Sequence, residues 1–98
     1  LVICKQELPD LLSLPPELLA AVARTTQLVA RALMTALQPD GLNVVQNNGA
    51  AAGQTVFHYH VHLIPRWDGD RALGGWRPGT TSPDELRALA AAITAELR

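Results

Sequence analysis

Cysteine is nearly absent from this sequence, which has a single one, Cys4, in 98 residues. A lone cysteine excludes a disulfide within the chain and agrees with a reducing compartment, so we expect a cytoplasmic location. Long apolar runs are absent as well, because none approaches the roughly 20 residues that a membrane-spanning helix needs. We therefore expect no membrane association.

No charge of one sign is in excess, because 8 basic and 9 acidic residues leave a formal net charge of −1. Such a chain has no general attraction for nucleic acid or for anionic membranes, and any phosphate must be held by local contacts. The composition is 48% hydrophobic and 17% charged. This composition and length suffice for one modest core, so we expect one globular domain over residues 1–98.

Histidine is also scarce, and all three copies fall in one short segment, whose sequence is His58-Tyr59-His60-Val61-His62-Leu63-Ile64. Strict alternation is typical of a β-strand, here residues 55–64, whose successive side chains point to opposite faces. The imidazoles would then share one face while Tyr59, Val61 and Leu63 face the core. Because three parallel imidazoles are costly unless something binds them, this face is the candidate active site.

The pattern before this segment predicts two more strands and a helix. A strand over Leu1–Cys4 leads through prolines into a helix over residues 16–38. A second strand over residues 42–47 and a loop over 48–53 would make an antiparallel pair with the histidine strand. The apolar stripe of the helix is predicted to pack in the core and includes Leu18, Val22, Val29 and Leu33.

Beyond the histidines, Pro65-Arg66 should end the strand, and residues 68–79 should form a turn-rich surface loop. Ser82-Pro83-Asp84-Glu85 predicts a helix start, with Ser82 as the N-cap and Glu85 placed for a capping box. The stripe expected to bury this helix is Leu86, Leu89, Ile93 and Leu97. Together these elements predict an α+β fold: a mainly antiparallel sheet, one long packed helix and a C-terminal helix.

The spacing of the histidines limits metal binding. Strand residues two apart lie about 6.6 Å apart at Cα and can chelate one ion, whereas residues four apart, at about 13 Å, cannot easily do so. His58 with His60, or His60 with His62, could therefore bind zinc only with ligands from elsewhere. The middle histidine, His60, is flanked on both sides and is the best-oriented candidate nucleophile.

The polar loop before the histidines is suited to a phosphate. Gly53 lets the backbone approach a ligand, and Gln54 and Thr55 add side-chain donors beside backbone N–H groups. Asn47, at the end of the preceding strand, can face the same pocket. The value of this loop as a signal comes from its closeness to the histidines.

These residues together carry a family resemblance. Asn47, residues 53–56 (Gly-Gln-Thr-Val) and residues 58–66 (His-Tyr-His-Val-His-Leu-Ile-Pro-Arg) resemble the histidine triad (HIT) family of nucleotide hydrolases and transferases. Leu1-Val2-Ile3 and residues 66–70 extend the likeness, and Thr25-Thr26-Gln27 is similar to the fragile-histidine-triad branch. The likeness covers most of the chain up to about residue 70, and more faintly Trp76 and the last helix.

The resemblance implies a mechanism. His60 would attack the α-phosphorus of a nucleotide and form a nucleotidyl-histidine that water hydrolyses. His62 would contact phosphate oxygens or the leaving group, and His58 would orient its neighbours. The phosphate and leaving group would be bound by Asn47, Gln54 and Thr55, with Gly53 in the same loop. No cofactor is required, although a divalent cation would modulate polyphosphate substrates, and the resemblance implies a homodimer with a continuous sheet.

Some questions stay open in the sequence. Many members carry proline and a further histidine in the segment that matches Cys4–Glu7, where this chain has neither, and the abrupt first strand indicates that N-terminal strands are missing. Dinucleoside polyphosphates and nucleoside phosphoramidates are both candidate substrates, and the fragile-triad-like segment favours the first. The alternatives are a nucleotide-binding module with little turnover and a metal-binding protein.

Overall fold

The computed structural model describes residues 1–71 and 79–97, so part of the predicted loop over residues 68–79 lies outside the described residues. The order of elements is β1 (Val2–Ile3), α1 (Pro16–Leu37), β2 (Gly41–Val45), β3 (His60–Arg66) and α2 (Pro83–Thr94). The described strands form a sheet in the order β1-β3-β2, and β1 is antiparallel to β3. The α+β fold predicted from the sequence is confirmed.

The chain divides into two compact units. The first contains Leu1–Gln27 and Asn43–Ile64, and the second contains Leu28–Leu42 and Pro65–Arg98. Every candidate site residue lies in the first unit. The buried hydrophobic residues of this unit are Val2, Cys4, Leu14, Val22, Tyr59 and Val61.

The long helix α1 follows the sequence pattern closely. It begins at Pro16, where the missing N–H had no partner within the helix, and it ends at Leu37. Gln38 takes a left-handed conformation with φ of 49°, and its N–H donates to the Met34 carbonyl at 3.0 Å. Within the predicted stripe Val22 and Leu33 are buried, and Leu18 and Val29 are half-buried, so the predicted helix is confirmed.

The histidine strand differs from its predicted bounds. It begins at His60, because the Tyr59 N–H donates to the Leu8 carbonyl at 2.8 Å and Val56–His58 form bends. The strand also extends to Arg66, two residues beyond its predicted end at residue 64. The pairing with β1 involves only His60 and Val61, so the missing N–H of Pro65 costs no bond to that strand.

The C-terminal helix α2 begins as predicted but is not buried as predicted. The predicted N-cap is confirmed, because the Ser82 hydroxyl accepts from the Glu85 N–H at 3.1 Å. The Glu85 carboxylate accepts from the Thr81 hydroxyl at 2.7 Å and not from the Ser82 N–H, so the predicted capping box is only half formed. The predicted buried stripe is wrong: Leu86, Leu89 and Leu97 are exposed and Ile93 is half-buried. An amphipathic pattern specifies which face suits burial, but no surface of the described residues covers this face. Neither described helix has the length and apolar character needed to cross a membrane.

Candidate active site

The alternation of side chains in β3 separates a polar face from a core face. Tyr59 and Val61 are 5% and 6% exposed, and burial raises the pKa of the Tyr59 phenol above its usual value. On the other face the rings of His60 and His62 meet edge to face, with their centroids 5.0 Å apart and their planes at 74°. The predicted division into a core face and an imidazole face is therefore confirmed for these residues.

His58 precedes β3 and takes part in two hydrogen bonds, one from its ring to Cys4 and one from the His60 ring to its carbonyl. The Nε2 atom of His58 lies 2.6 Å from the Cys4 carbonyl oxygen. The Nδ1 atom of His60 lies 2.6 Å from the carbonyl oxygen of His58 itself. Because a carbonyl oxygen only accepts, the ring nitrogen carries the proton in both contacts. The His58 ring is thus anchored to Cys4, the residue after β1, and the His58 main chain anchors the ring of His60.

These bonds determine which nitrogen of His60 can react. With the proton held on Nδ1, a neutral His60 ring carries its lone pair on Nε2. Fixing the ring in one tautomer and one orientation is the requirement for an imidazole nucleophile or base. The geometry therefore supports His60 as the reactive member of the three histidines.

His62 has a different electrostatic environment. Partial burial, followed by the charge of the neighbouring His60, lowers the pKa of His62 below its ordinary value of 6.5. The ring therefore stays neutral at neutral pH, where it can donate or accept a hydrogen bond without adding positive charge next to His60.

An apolar cavity of about 290 Å³ adjoins the histidines and is lined by Leu1, Ile3, Val56, His58 and His60. Leu1 and Ile3 are 74% and 60% exposed, on the opposite face of the first strand from the buried Val2 and Cys4. The cavity offers an apolar surface beside two of the three imidazoles. A molecule with an apolar part and a charged part fits this cavity and its adjacent imidazoles better than an inorganic ion does.

The loop before the histidines closes on itself through main-chain bonds. Residues Ala50–Ala52 form one 3₁₀ turn between Gly49 and Gly53, which have φ values of 88° and 95°. The Gly53 N–H donates to the Ala50 carbonyl at 3.0 Å, and the Gln54 N–H donates to the Gly49 carbonyl at 3.1 Å. These two N–H groups are therefore engaged inside the loop, whereas the following Thr55 is exposed.

Gly53 lies against Asn47, so the structure brings together these two predicted site residues. A Cβ atom added to Gly53 would lie 3.6 Å from Nδ2 of Asn47. The positive φ of Gly53 independently favours glycine, because a side chain is strained in that conformation. The positive φ is therefore what favours glycine at this position, because an added Cβ would make only ordinary contact with the Asn47 amide.

Gln54 is the one buried polar residue among the described residues, with 4% of its surface exposed. Its Oε1 accepts from the Gly49 N–H at 2.7 Å. Its Nε2 donates to the Pro9 carbonyl at 2.6 Å and to the Val56 carbonyl at 3.0 Å. The amide that the sequence assigns to a phosphate is thus bonded to main-chain groups.

A second amide network holds the same turn. The Asn48 Oδ1 accepts from the Leu11 N–H at 2.8 Å and from Gln46 Nε2 at 2.9 Å, and Asn48 Nδ2 donates to Gln46 Oε1 at 2.7 Å. Asn48 and Gln54 therefore both connect the polar loop to residues 9–11.

Sequence reasoning missed several of these positions. The Cys4 carbonyl had no signal, because every residue has a carbonyl and the side chain does not report its use. Leu1 and Ile3 had a signal that was not followed, since alternation in a strand places them opposite Val2 and Cys4. No three His, Cys, Asp or Glu side chains within residues 1–71 and 79–97 are grouped as metal ligands would be.

Comparison with known proteins adds a family match and named relatives. The HIT domain family model matches residues 1–69. Adenylylsulfatase HINT3 of Arabidopsis thaliana is 43% identical over 71% of this chain and 36% of its own length. Adenosine 5'-monophosphoramidase hnt1 of Schizosaccharomyces pombe is 41% identical over 64% of this chain and 48% of its own length.

A solved structure agrees with these sequence matches. The hypothetical histidine triad nucleotide-binding protein of Sulfolobus tokodaii superposes with a TM-score of 0.85 at 31% identity, covering 97% of this chain and 66% of that one. This chain thus spans about a third to a half of the length of the two named enzymes. Since the domain match includes the three histidines, their preceding loop and the first strand, the chain belongs to the HIT family.

Proposed function

We propose that this protein is a nucleotide hydrolase that acts at an α-phosphate through a nucleotidyl intermediate on His60. The observation that carries the proposal is the bond from His60 Nδ1 to the His58 carbonyl at 2.6 Å. It leaves Nε2 as the nucleophilic nitrogen of the neutral ring. Family membership and the names of two relatives, an adenylylsulfatase and an adenosine monophosphoramidase, support a hydrolase of this class.

The reaction has two displacements at phosphorus. In the first, the Nε2 lone pair forms a bond to the α-phosphorus, while the bond from phosphorus to the leaving group breaks and its electron pair departs with that group. An amine leaving group takes up a proton from solvent as it departs, whereas sulfate departs as the anion. In the second, water forms the new P–O bond, the P–N bond breaks, and neutral imidazole and a nucleoside monophosphate are released. A proton from the water goes to the solvent. Splitting one hydrolysis into two displacements is the usual benefit of covalent catalysis.

The neighbouring residues have positioning and electrostatic roles in this proposal. His62, whose pKa is lowered, contacts a phosphate oxygen or the leaving group as a neutral donor. Asn47 and the exposed Thr55 provide further polar contacts, with Gly53 allowing the close approach of the backbone. Fixed donors placed around the developing charge are the usual main source of rate in phosphoryl transfer.

Two substrate classes fit this chemistry. The names of the two relatives favour adenylyl compounds with a small leaving group, such as a sulfate or an amine. The segment Thr25-Thr26-Gln27, similar to the fragile-triad branch, favours dinucleoside polyphosphates. A panel of adenosine 5'-phosphoramidate, adenylyl sulfate and diadenosine triphosphate, compared by kcat/KM, decides between them.

Trapping the intermediate tests the proposal directly. The protein is mixed with each substrate, quenched within a turnover and analysed by peptide mass spectrometry. A nucleotidyl group on the peptide that contains His60 is expected, and the His60→Asn variant should carry none. Binding of the nucleotide without an adduct or product would instead identify a binding module with little turnover.

A metal-dependent alternative is tested with a chelator. We expect turnover of adenosine 5'-phosphoramidate to be unchanged in EDTA, because the proposed chemistry uses the imidazole as its nucleophile and the described residues lack a three-ligand cluster. Divalent ions would still alter rates on polyphosphates by neutralising charge. Loss of activity in EDTA that stoichiometric zinc restores would favour the metal-binding hypothesis.

We also propose that the protein acts as a homodimer. In the described sheet β2 is an edge strand, and its Val44 is 53% exposed. An exposed edge strand is a ready surface for pairing, and a two-fold axis is the commonest way to cover it. On α1, Leu28 is 40% exposed and offers a further apolar contact to a second copy. Light scattering at micromolar concentration should give twice the chain mass, and an active monomer would overturn this proposal.

A further inference from the structure

We infer that Gln54 is a positioning residue, whose amide holds the loop before the histidines in place, and that it does not contact the substrate phosphate. The inference rests on the proposed function for its catalytic consequence. Its structural part depends only on the contacts of the Gln54 side chain.

The hydrogen-bonding capacity of the amide carries the first step. A glutamine side chain has two N–H donors on Nε2 and two acceptor lone pairs on Oε1. Both donors are engaged, by the carbonyls of Pro9 at 2.6 Å and Val56 at 3.0 Å, and Oε1 accepts from Gly49. What remains is an acceptor lone pair, which an anionic phosphate cannot use. A donor contact with phosphate would require the release of one of these two bonds to a main-chain carbonyl.

The location of the three partners carries the second step. Gly49 is one of the two positive-φ residues that frame the turn, and it is bonded to Gln54 through both its N–H and its carbonyl. Val56 lines the cavity beside His58 and His60. Pro9 follows Leu8, whose carbonyl accepts from the Tyr59 N–H at 2.8 Å. One buried amide thus connects the start of the loop, the cavity wall and the segment that borders the histidines.

This arrangement predicts a catalytic effect without contact. Covalent catalysis at phosphorus is sensitive to displacements below 1 Å, so a loop that moves by that amount slows the reaction. Because Gln54 is only 4% exposed, loss of its donors also removes two hydrogen bonds that a buried side chain makes to the Pro9 and Val56 carbonyls.

The test compares Gln54→Glu and Gln54→Met with Gln27→Glu, which makes the same change at an exposed glutamine of α1. With adenosine 5'-phosphoramidate at pH 8, kcat/KM of Gln54→Glu should fall at least about tenfold, because a carboxylate cannot donate. As the pH is lowered to about 5.5, its activity relative to wild type should recover, because burial raises the pKa of the new carboxyl and the protonated form donates one bond. Gln54→Met should stay low throughout, and Gln27→Glu should match wild type.

Hydrogen exchange of the Gly49 amide separates positioning from contact. In Gln54→Met, which has no acceptor for the Gly49 N–H, that amide should exchange faster than in wild type, together with the loss of activity. Gln54→Glu keeps an acceptor for this N–H, so its Gly49 exchange should change less. Loss of activity with unchanged Gly49 exchange in Gln54→Met would overturn the inference in favour of direct contact, and wild-type kcat/KM in Gln54→Met would also overturn it.

The unmodified protein provides a measurement that does not depend on the folding of a variant. The side-chain amide protons of Gln54 should keep their NMR shifts and slow exchange when adenosine monophosphate is added. A large shift or a loss of protection would overturn the inference. The His60 adduct, measured separately in the unmodified protein, reports whether the proposed function itself holds.

Discussion

The histidine segment, residues 58–62, and the polar loop, residues 49–56, lie side by side in sequence and use hydrogen bonds in opposite ways. In the histidine segment, ring nitrogens donate to main-chain carbonyls, so the side chains that would react are themselves oriented. In the loop, the buried Gln54 amide binds main-chain groups, so the side chain orients the backbone. Changes in the first region should therefore remove chemistry, and changes in the second should disturb geometry.

Replacing His60 should have the largest effect. His60→Asn removes the nucleophilic nitrogen, while the asparagine amide can still donate toward the His58 carbonyl, so the fold should be retained. We expect kcat to fall by about 10³-fold or more, with the free energy of unfolding nearly unchanged. Single-turnover kinetics and urea unfolding measure the two quantities. A rate close to that of wild type would show that His60 is not the nucleophile.

Replacing His58 should have an intermediate effect, because its ring anchors the carbonyl that orients His60. We expect His58→Ala to lower kcat/KM by about 10- to 100-fold. The matched control is Cys4→Ala, which removes the thiol but keeps the carbonyl that accepts from His58. This control should keep its rate within about twofold and lose about 1 kcal/mol of stability, since Cys4 is buried. An inactive but folded Cys4→Ala would contradict the assignment of the carbonyl as the functional group.

Replacing Gly53 tests the loop by its geometry. Gly53→Ala forces a side chain into a residue with φ of 95° and toward the Asn47 amide. We expect about 1–2 kcal/mol lower stability and a higher KM with a smaller change in kcat. Gly79→Ala is the control, because its φ is not positive and nothing lies within 4 Å of an added Cβ. Equal losses of stability in the two variants would show that the positive φ of Gly53 has no energetic consequence.

The smallest effect concerns the titration of His62. Because the charge of His60 is one cause of its lowered pKa, His60→Asn should raise the pKa of His62 toward 6.5 without restoring it fully, since burial acts first. A lowered histidine pKa also means that its contribution to stability is present above pH 6.5 and declines as the pH falls. NMR titration of the ring protons measures the shift, and a lower pKa in the variant would exclude repulsion by His60.

The sequence was most informative where the signal is carried by side chains in a regular pattern. Alternation predicted that Tyr59 and Val61 are buried opposite the histidines, and apolar spacing predicted α1 to within one residue at its end. The start of β3 could not be predicted this way. His58 continues the alternation in the sequence, but its ring and its carbonyl form hydrogen bonds outside the sheet. Alternation alone does not reveal which residues pair with a neighbouring strand.

Tertiary partners explain the other differences. The stripe on α2 has the same kind of pattern as the stripe on α1, yet its leucines are exposed, because periodicity specifies a face and not the surface that covers it. Gln54 was recognised as important from its place next to Gly53 and Thr55. Its burial and its bond to Pro9, 45 positions away, depend on how the chain folds back.

The bond that Cys4 accepts has a consequence for how such sites diverge. The first histidine is anchored on a peptide carbonyl, and every amino acid, proline included, supplies that acceptor. The anchor therefore depends on the path of the backbone at Cys4, whereas the burial of the thiol is a separate, packing constraint on the residue type. The residue type at position 4 therefore does not reveal whether the carbonyl anchor is present. Replacing the Cys4–Lys5 peptide bond with an ester would weaken the Cys4 carbonyl as an acceptor without altering either side chain. This replacement should loosen the His58 ring, whereas a change of the Cys4 side chain should not.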